Sequence, residues 1–363
     1  MPDDPSPADV TVPITGRRLE FPQGPIFSLR RAAESDYQLG EFRAWAGYKN
    51  LGSDAATAGI VHFQHVLSFA GTEAAGRTGI HAHLALAHIV IPTSGRGIFS
   101  YDGVVTEATP GTVIVQHGGT VHDQFLFTYA ATSDADNRRT PQWVERPPPG
   151  APACSFGFLE LFVPSAFANV DIVAPGAVTA EDQASAWAHP YHLPGARFAL
   201  QSEDEPDAAY RPVAGREDLE VRDAGAWAPS AGLVATWIIR PASGDPAAGP
   251  PMSVGIAGEA GGIDVFYMVS GEATFRRDDG EELRLAAGDT STHSQGRLGL
   301  PYSCSHDMRL LRFFISDKVR NLRERTADEI RRLEALGPRI VRRREVRRPG
   351  DPRPVNGLQD PAG

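Results

Sequence analysis

The stretch GRTGIHAHLALAHIVIPTSG at residues 76–95, with GTVIVQHGGTVHDQFL at 111–126, decides how this chain is read. Five of the 11 histidines fall in these two segments: His81, His83, His88, His117 and His122. His81-Ala82-His83 lies in an apolar run, and residues i and i+2 of a strand share a face, so both imidazoles can converge on one point. Two neutral imidazoles so placed are the usual start of a transition-metal site. By the same parity His83 and His88 would face opposite sides of one straight strand, so a bend or bulge is expected between them.

Around this core the chain is a series of short segments rich in Val, Ile and Phe, at 60–69, 80–87, 88–91, 97–101, 112–116 and 124–129. Gly, Pro, Ser and Asp separate them, which is the all-β pattern. A polar, proline-rich insertion at 132–152 interrupts the series, and 154–163 resumes it. A second block runs through 232–241, 264–269, 273–277, 282–285 and 308–315. Gly95 and Gly271 stand 176 residues apart, and Gly111 and Gly288 177, so the second block repeats the first. A repeat this long means duplication of a whole domain. The expected organisation is an N-terminal arm (1–58), a first barrel (59–165), a linker with a short helix at 179–188 (166–231) and a second barrel (232–316). Residues 317–363 form a last segment, in which Thr326-x-x-Glu329 is a capping box opening a short amphipathic helix ahead of a basic tail.

The composition removes several classes. The 363 residues carry a formal charge of −10 and hold only two cysteines, Cys154 and Cys304, so this is no disulfide scaffold, and a reducing cytoplasm is the expected compartment. No apolar run approaches the ~18 residues of a membrane helix, and the opening MPDDPSPADV is acidic and unlike a secretory signal. Residues 317–348 are locally +6, which leaves −15 on residues 1–316. An acidic body argues against broad nucleic-acid binding. The basic tail reads as a solvated arm packing on that body or on a second subunit, and a homo-oligomer is expected.

The two quoted segments resemble the motif pair of the cupin superfamily. His81 and His83 match the family's HxH, and His88 stands where the family has glutamate, with six residues between it and Gly95. Gly111, Gly119 and His122 keep the register of the second motif, with His117 in place of proline and Leu126 in place of asparagine. The resemblance, with the duplication, implies a bicupin: two double-stranded β-helix (jelly-roll) barrels in tandem. It also implies that His81, His83, His88 and His122 surround one divalent transition metal, iron(II) favoured, with manganese, nickel, copper or zinc as alternatives. Four imidazoles in place of three and a glutamate leave the metal charge uncompensated, which favours an anionic substrate oxygen. In the second block the glutamate position falls on Asp264, the HxH positions on Ala257 and Glu259, and the second-motif histidine position near Gly299. That half is expected to be metal-free.

Four further residues are candidates beside the metal. His62 and His65 lie on opposite faces of one strand, so one looks into the barrel. Gln124 shares the face of His122, and Glu160 shares that of Phe158 and Phe162 and could be the missing acid–base group. Phe99, Phe125, Phe127 and Phe158 could wall an apolar pocket. His117 is expected to be exposed in a turn. The implied activity is that of a dioxygenase cleaving a small phenolic, enolic or diketone-like substrate. An oxygen-independent isomerase, cyclase or lyase, and a non-catalytic metal- or small-molecule-binding protein, are the alternatives.

Overall fold

The computed structural model of the chain describes residues 19, 21–22, 24–39, 46–68, 81–83, 85–95, 97–101, 104–118, 120–125, 156–165, 169–171, 198–203, 208–243, 251–255, 261–294, 296 and 298–321. The insertion at 132–152, the helices expected at 179–188 and after Thr326, and the basic tail lie outside these residues, as do Ala257 and Glu259.

The first barrel pairs a seven-stranded antiparallel sheet with a five-stranded one. In the larger sheet Phe156–Val163 is central, flanked by Ala87–Gly95 and His62–Ser68, with Val113–His117 and Ala46–Asn50 further out. In the smaller sheet Val121–Phe125 lies between His81–His83 and Gly97–Tyr101. The second barrel repeats the plan: Arg309–Ser316 lies between Gly262–Ser270 and Val234–Pro241, opposed by a small sheet of Glu282–Ala286, Glu272–Arg276 and Ser303–Cys304. This is the all-β, two-barrel jelly-roll architecture. The repeated glycines mark the same turns twice, because Gly95 and Gly271 both have φ 68, and Gly111 and Gly288 have φ 86 and 84. Only glycine enters that region without strain.

The two seven-stranded sheets pack back to back. Phe63, Ile89, Ile91, Val113, Leu159 and Leu161 of the first share one core with Val234, Ile238, Val265, Tyr267, Leu311 and Phe313 of the second. The opposite face of the first sheet, with Val66, Val90, Ile114, Phe156 and Phe158, joins Phe99 and Tyr101 inside the first barrel. These strands are therefore buried on both faces, which is why they read as unbroken apolar runs. Phe63 sits at the centre of the junction, its ring 5.2 Å from that of Phe313 and 5.8 Å from that of Tyr267.

Two segments outside the motif blocks complete the sheets. Phe27–Arg30 adds to the edge strand Thr290–Ser294 of the second barrel, while Ala46–Asn50 joins the first, so the N-terminal arm bridges both. Ala199–Gln201 pairs with Val113–His117 of the first barrel, and Arg216–Asp223 with Val234–Pro241 of the second. The bend between His83 and His88 is a change of sheet. His81–His83 and Ala87–Gly95 are separate strands, and the Leu86 N–H between them donates to the Val163 carbonyl. His117 is a correction: it is 5% exposed and ends a strand opposite Ala87, with Nδ1 2.9 Å from the Gly118 carbonyl, because the strand extends one residue past the expected turn. Among the described residues no helix is long and apolar enough to cross a membrane.

Replacing Phe63 by alanine empties the junction where neither barrel can refill it. The expected loss is about 3–5 kcal/mol of unfolding free energy, measured by urea denaturation with far-UV circular dichroism.

Candidate metal centre

Alternation along three neighbouring strands builds the site. Residues 88 and 90 of Ala87–Gly95, 160 and 162 of Phe156–Val163, and 62 and 64 of His62–Ser68 face the barrel interior, since Ile89, Leu161 and Phe63 face the other barrel. Register sets Phe162 opposite both His88 and His62, and Glu160 opposite Gln64. The small sheet supplies His83 and His122 from the other side, with His81 directly opposite His122 in register.

The imidazoles meet. The ring of His83 is 4.9 Å from that of His88 and 4.7 Å from that of His122, and His88 and His122 are 6.4 Å apart. Metal–nitrogen bonds of about 2.0–2.1 Å put the centre of a bound imidazole about 3.2 Å from the ion, so two rings on one ion have centres about 4.5–6.4 Å apart. All three separations lie in that range. His88 is 2% exposed, and among the described residues neither of its ring nitrogens makes a hydrogen bond, although Glu160 Oε1 lies 3.3 Å from Nε2. A buried imidazole in that condition lacks the partners such groups normally have. His122 Nδ1 is 2.9 Å from the Thr120 carbonyl, so it carries the hydrogen and leaves Nε2 with a lone pair for a metal. Phe162 lies flat on His88, with ring centres 4.0 Å apart and planes 11° apart, which fixes the plane of the imidazole. The donor set thus fits a divalent transition metal. Among the described residues no three donor side chains already close on one point, so a complete shell requires side-chain rotation. The side chains of His81 and Gln124 lie outside the described residues.

A polar chain runs into this site. Asp54, in the short helix Ser53–Ala56, is 2.8 Å from His62 Nδ1; His62 Nε2 is 3.0 Å from Gln64 Oε1. Gln64 Nε2 donates to Glu160 Oε2 at 2.7 Å, and Glu160 Oε1 lies 3.3 Å from His88 Nε2. His62 is thus the inward histidine of its strand. His65 points outward, is 1% exposed and binds Tyr37 and Thr93 at 2.7 and 2.8 Å. Burial, with the Lys49 charge adding to it, pushes its pKa down to about 3, so it is a neutral core histidine and no part of the centre. Tyr101, beside His122 in register and stacked on it at 5.9 Å, was not singled out by the sequence. Its hydroxyl is buried and has no hydrogen-bond partner among the described residues. Burial and the Glu160 charge hold its phenol well above the ordinary range, so it stays protonated. Phe99 and Phe158 pack in the core of the first barrel, while the Phe125 side chain and Phe127 lie outside the described residues.

The second barrel holds different chemistry at the equivalent positions. There Phe314 faces Asp264 as Phe162 faces His88, and Arg312 stands at the position of Glu160, with Trp237 and Ala235 at those of Gln64 and His62. Arg312 binds both oxygens of the fully buried Asp264, Nε at 2.9 Å and Nη2 at 3.1 Å. That ion pair uses up the one acidic residue at the motif position. His293, opposite Asp264, is buried against the Phe266 ring at 4.8 Å. His306 is exposed.

The Asp54–His62 pair makes stability depend on pH. Burial opposes the charge on both residues, but their mutual hydrogen bond outweighs it, lowering the Asp54 pKa from 3.8 and raising that of His62 from 6.5. The contribution is complete between those two ordinary values. It is lost as pH falls through the lowered Asp54 value and as pH rises through the raised His62 value. Urea unfolding of Asp54→Asn against the natural chain should show the largest deficit near pH ~5 and smaller ones at pH ~3 and ~8.

No family model matches the chain, and no curated protein is found similar to it. Among solved structures, the chain is similar to oxalate decarboxylase from Bacillus subtilis (TM-score 0.44, 11% identity, 80% of this chain and 76% of that one). It is also similar to a 7S globulin from Momordica charantia (0.42, 11%, 79% and 83%). A third is a putative glyoxylate-induced protein from Pseudomonas aeruginosa (0.44, 11%, 82% and 91%). The chain's own strand pairing, the paired glycine turns and the two histidine segments of the first barrel together make it a two-barrel protein of the cupin fold.

Proposed function

We propose that this chain is a metal-dependent cytoplasmic oxygenase, a dioxygenase acting on a small phenolic, enolic or diketone-like anion inside the first barrel. The observation that carries the proposal is the group of His83, His88 and His122 in mutual ring contact, with both nitrogens of buried His88 left without hydrogen bonds. With His81 from the adjacent strand position, these residues would hold the metal. Iron(II) in this reading supplies Lewis acidity and a template on which substrate and dioxygen meet.

The protein's own groups do the rest. Thr120 fixes the tautomer of His122, and Phe162 fixes the ring plane of His88. Neutral imidazoles leave a net positive charge at the centre, so an anionic substrate oxygen is drawn to it. The protonated Tyr101 hydroxyl, which has no hydrogen-bond partner among the described residues, can donate to a second oxygen of such a substrate. Phe99, Phe156, Phe158, Val66 and Val90 pack in one apolar cluster with Tyr101, and the low-dielectric surroundings strengthen a hydrogen bond from its hydroxyl.

Protein purified without a metal-binding tag should contain one metal per chain, and His122→Ala should abolish that content in elemental analysis. With iron(II) loaded anaerobically, catechol or acetylacetone should be consumed only after air is admitted, with matching oxygen uptake at an electrode. One tight zinc and turnover indifferent to oxygen would replace this reading with an oxygen-independent isomerase or lyase.

A further inference from the structure

We infer that Glu160 supplies the carboxylate of the centre, taking over from a neighbouring strand the role that the motif glutamate has left vacant at His88. Asp54, His62 and Gln64 are the positioning residues that hold it there. The inference rests on the metal-centre reading and names a further residue of that site.

The hydrogen bonds around Gln64 have fixed directions. Glu160 Oε2 accepts from the Gln64 amide nitrogen, so the amide oxygen of Gln64 faces His62 Nε2. Turning the amide over would set Gln64 Oε1 against a carboxylate, acceptor to acceptor. His62 Nε2 must then carry a hydrogen, and Nδ1, against the Asp54 carboxylate, must carry one too. His62 is therefore an imidazolium between two acceptors, and the chain runs in one direction, with every donor pointing away from His62. An amide cannot take up a proton and pass it on readily, so the chain aims Glu160 instead of conducting through it.

Position supports the assignment. Glu160 is on the central strand, one strand over from His88, and its free oxygen Oε1 lies 3.3 Å from His88 Nε2. Only 14% of its side chain is exposed, so it is no edge-strand surface group. The second barrel makes the contrast: the same position holds Arg312, and the motif position holds the acid it neutralises, Asp264. In the first barrel the charges are exchanged, with the carboxylate at 160 and the imidazole at 88. A carboxylate beside a divalent ion held by neutral imidazoles offsets part of its charge, and Glu160 is the acidic side chain that the described structure places against His88.

The test uses the full chain and zinc or manganese titration followed by calorimetry. Glu160→Gln should weaken metal binding about 10–100-fold while leaving the melting temperature nearly unchanged, and Gln64→Leu should weaken it as much with some loss of melting temperature, since it takes a hydrogen-bond partner from both His62 and Glu160. Adding His88→Glu to the Glu160→Gln variant returns the carboxylate to the motif position and should restore affinity to within about tenfold. Nitrogen-15 spectra of histidine-labelled apoprotein near pH 7 should show His62 protonated at both ring nitrogens, and Gln64→Leu should remove that state. Natural-chain metal binding with unchanged affinity in Glu160→Gln overturns the inference and leaves the metal-centre reading standing. A His62 without a hydrogen on Nε2 overturns the positioning chain, because the Gln64 amide must then turn over and set its oxygen against Glu160. Absence of metal binding by the natural chain defeats the metal-centre reading, and with it the role given to Glu160.

Discussion

Burial of both faces of the two seven-stranded sheets is the constraint on which the rest of this structure depends. Each sheet packs one face against its own small sheet and the other against its twin, so no strand in the middle has a solvent face to spare. A polar side chain on such a strand must find partners inside or carry a function. His62, Gln64, His88 and Glu160 are polar residues in that situation, and register brings them to one place. Phe63, Ile89 and Leu161 alternate with them and seal the junction between the barrels, so the same strands that carry the site also hold the molecule together.

Duplication explains how one barrel can hold an open donor set while the other buttresses it. The two halves keep the same strand order and the same glycine turns, yet differ at the inward positions of three strands. In the second half, Arg312 and the fully buried Asp264 neutralise each other, and the Arg312 guanidinium lies over the Trp237 ring at 5.3 Å. A paired buried ion needs no ligand. In the first half a histidine with two unbonded nitrogens remains, and the chain from Asp54 organises the carboxylate beside it. The N-terminal arm, pairing with both halves, ties the two environments into one body.

Much of this was legible in the residues themselves. Turn chemistry at glycines repeating at 176–177 residues implied two copies of one unit, because only glycine tolerates that backbone. The histidine spacing pointed to one centre in the first copy, and strand parity separated His62 from His65 without saying which faced inward. What was not legible lies at long range. Parity fails between His83 and His88 because the chain leaves one sheet for another at Leu86. His117 escaped because the strand runs one residue further than its turn-like surroundings implied. Tyr101 gave no sign at all, since nothing local distinguishes a tyrosine stacked on a histidine 21 residues later. The short strands Phe27–Arg30 and Ala199–Gln201 are weakly patterned, and they pair only because a barrel edge is there to receive them.

The sequence by itself determined the all-β class, the duplication, and which histidines stand at metal-ligand spacing, because period, turn residues and motif spacing are local properties. Only the tertiary structure decided which acid stands beside them. Glu160 meets Gln64 and His88 across strands 96 and 72 residues away in the chain. Cross-strand register, set by the burial of whole sheets, brings such residues together, and no local pattern encodes it.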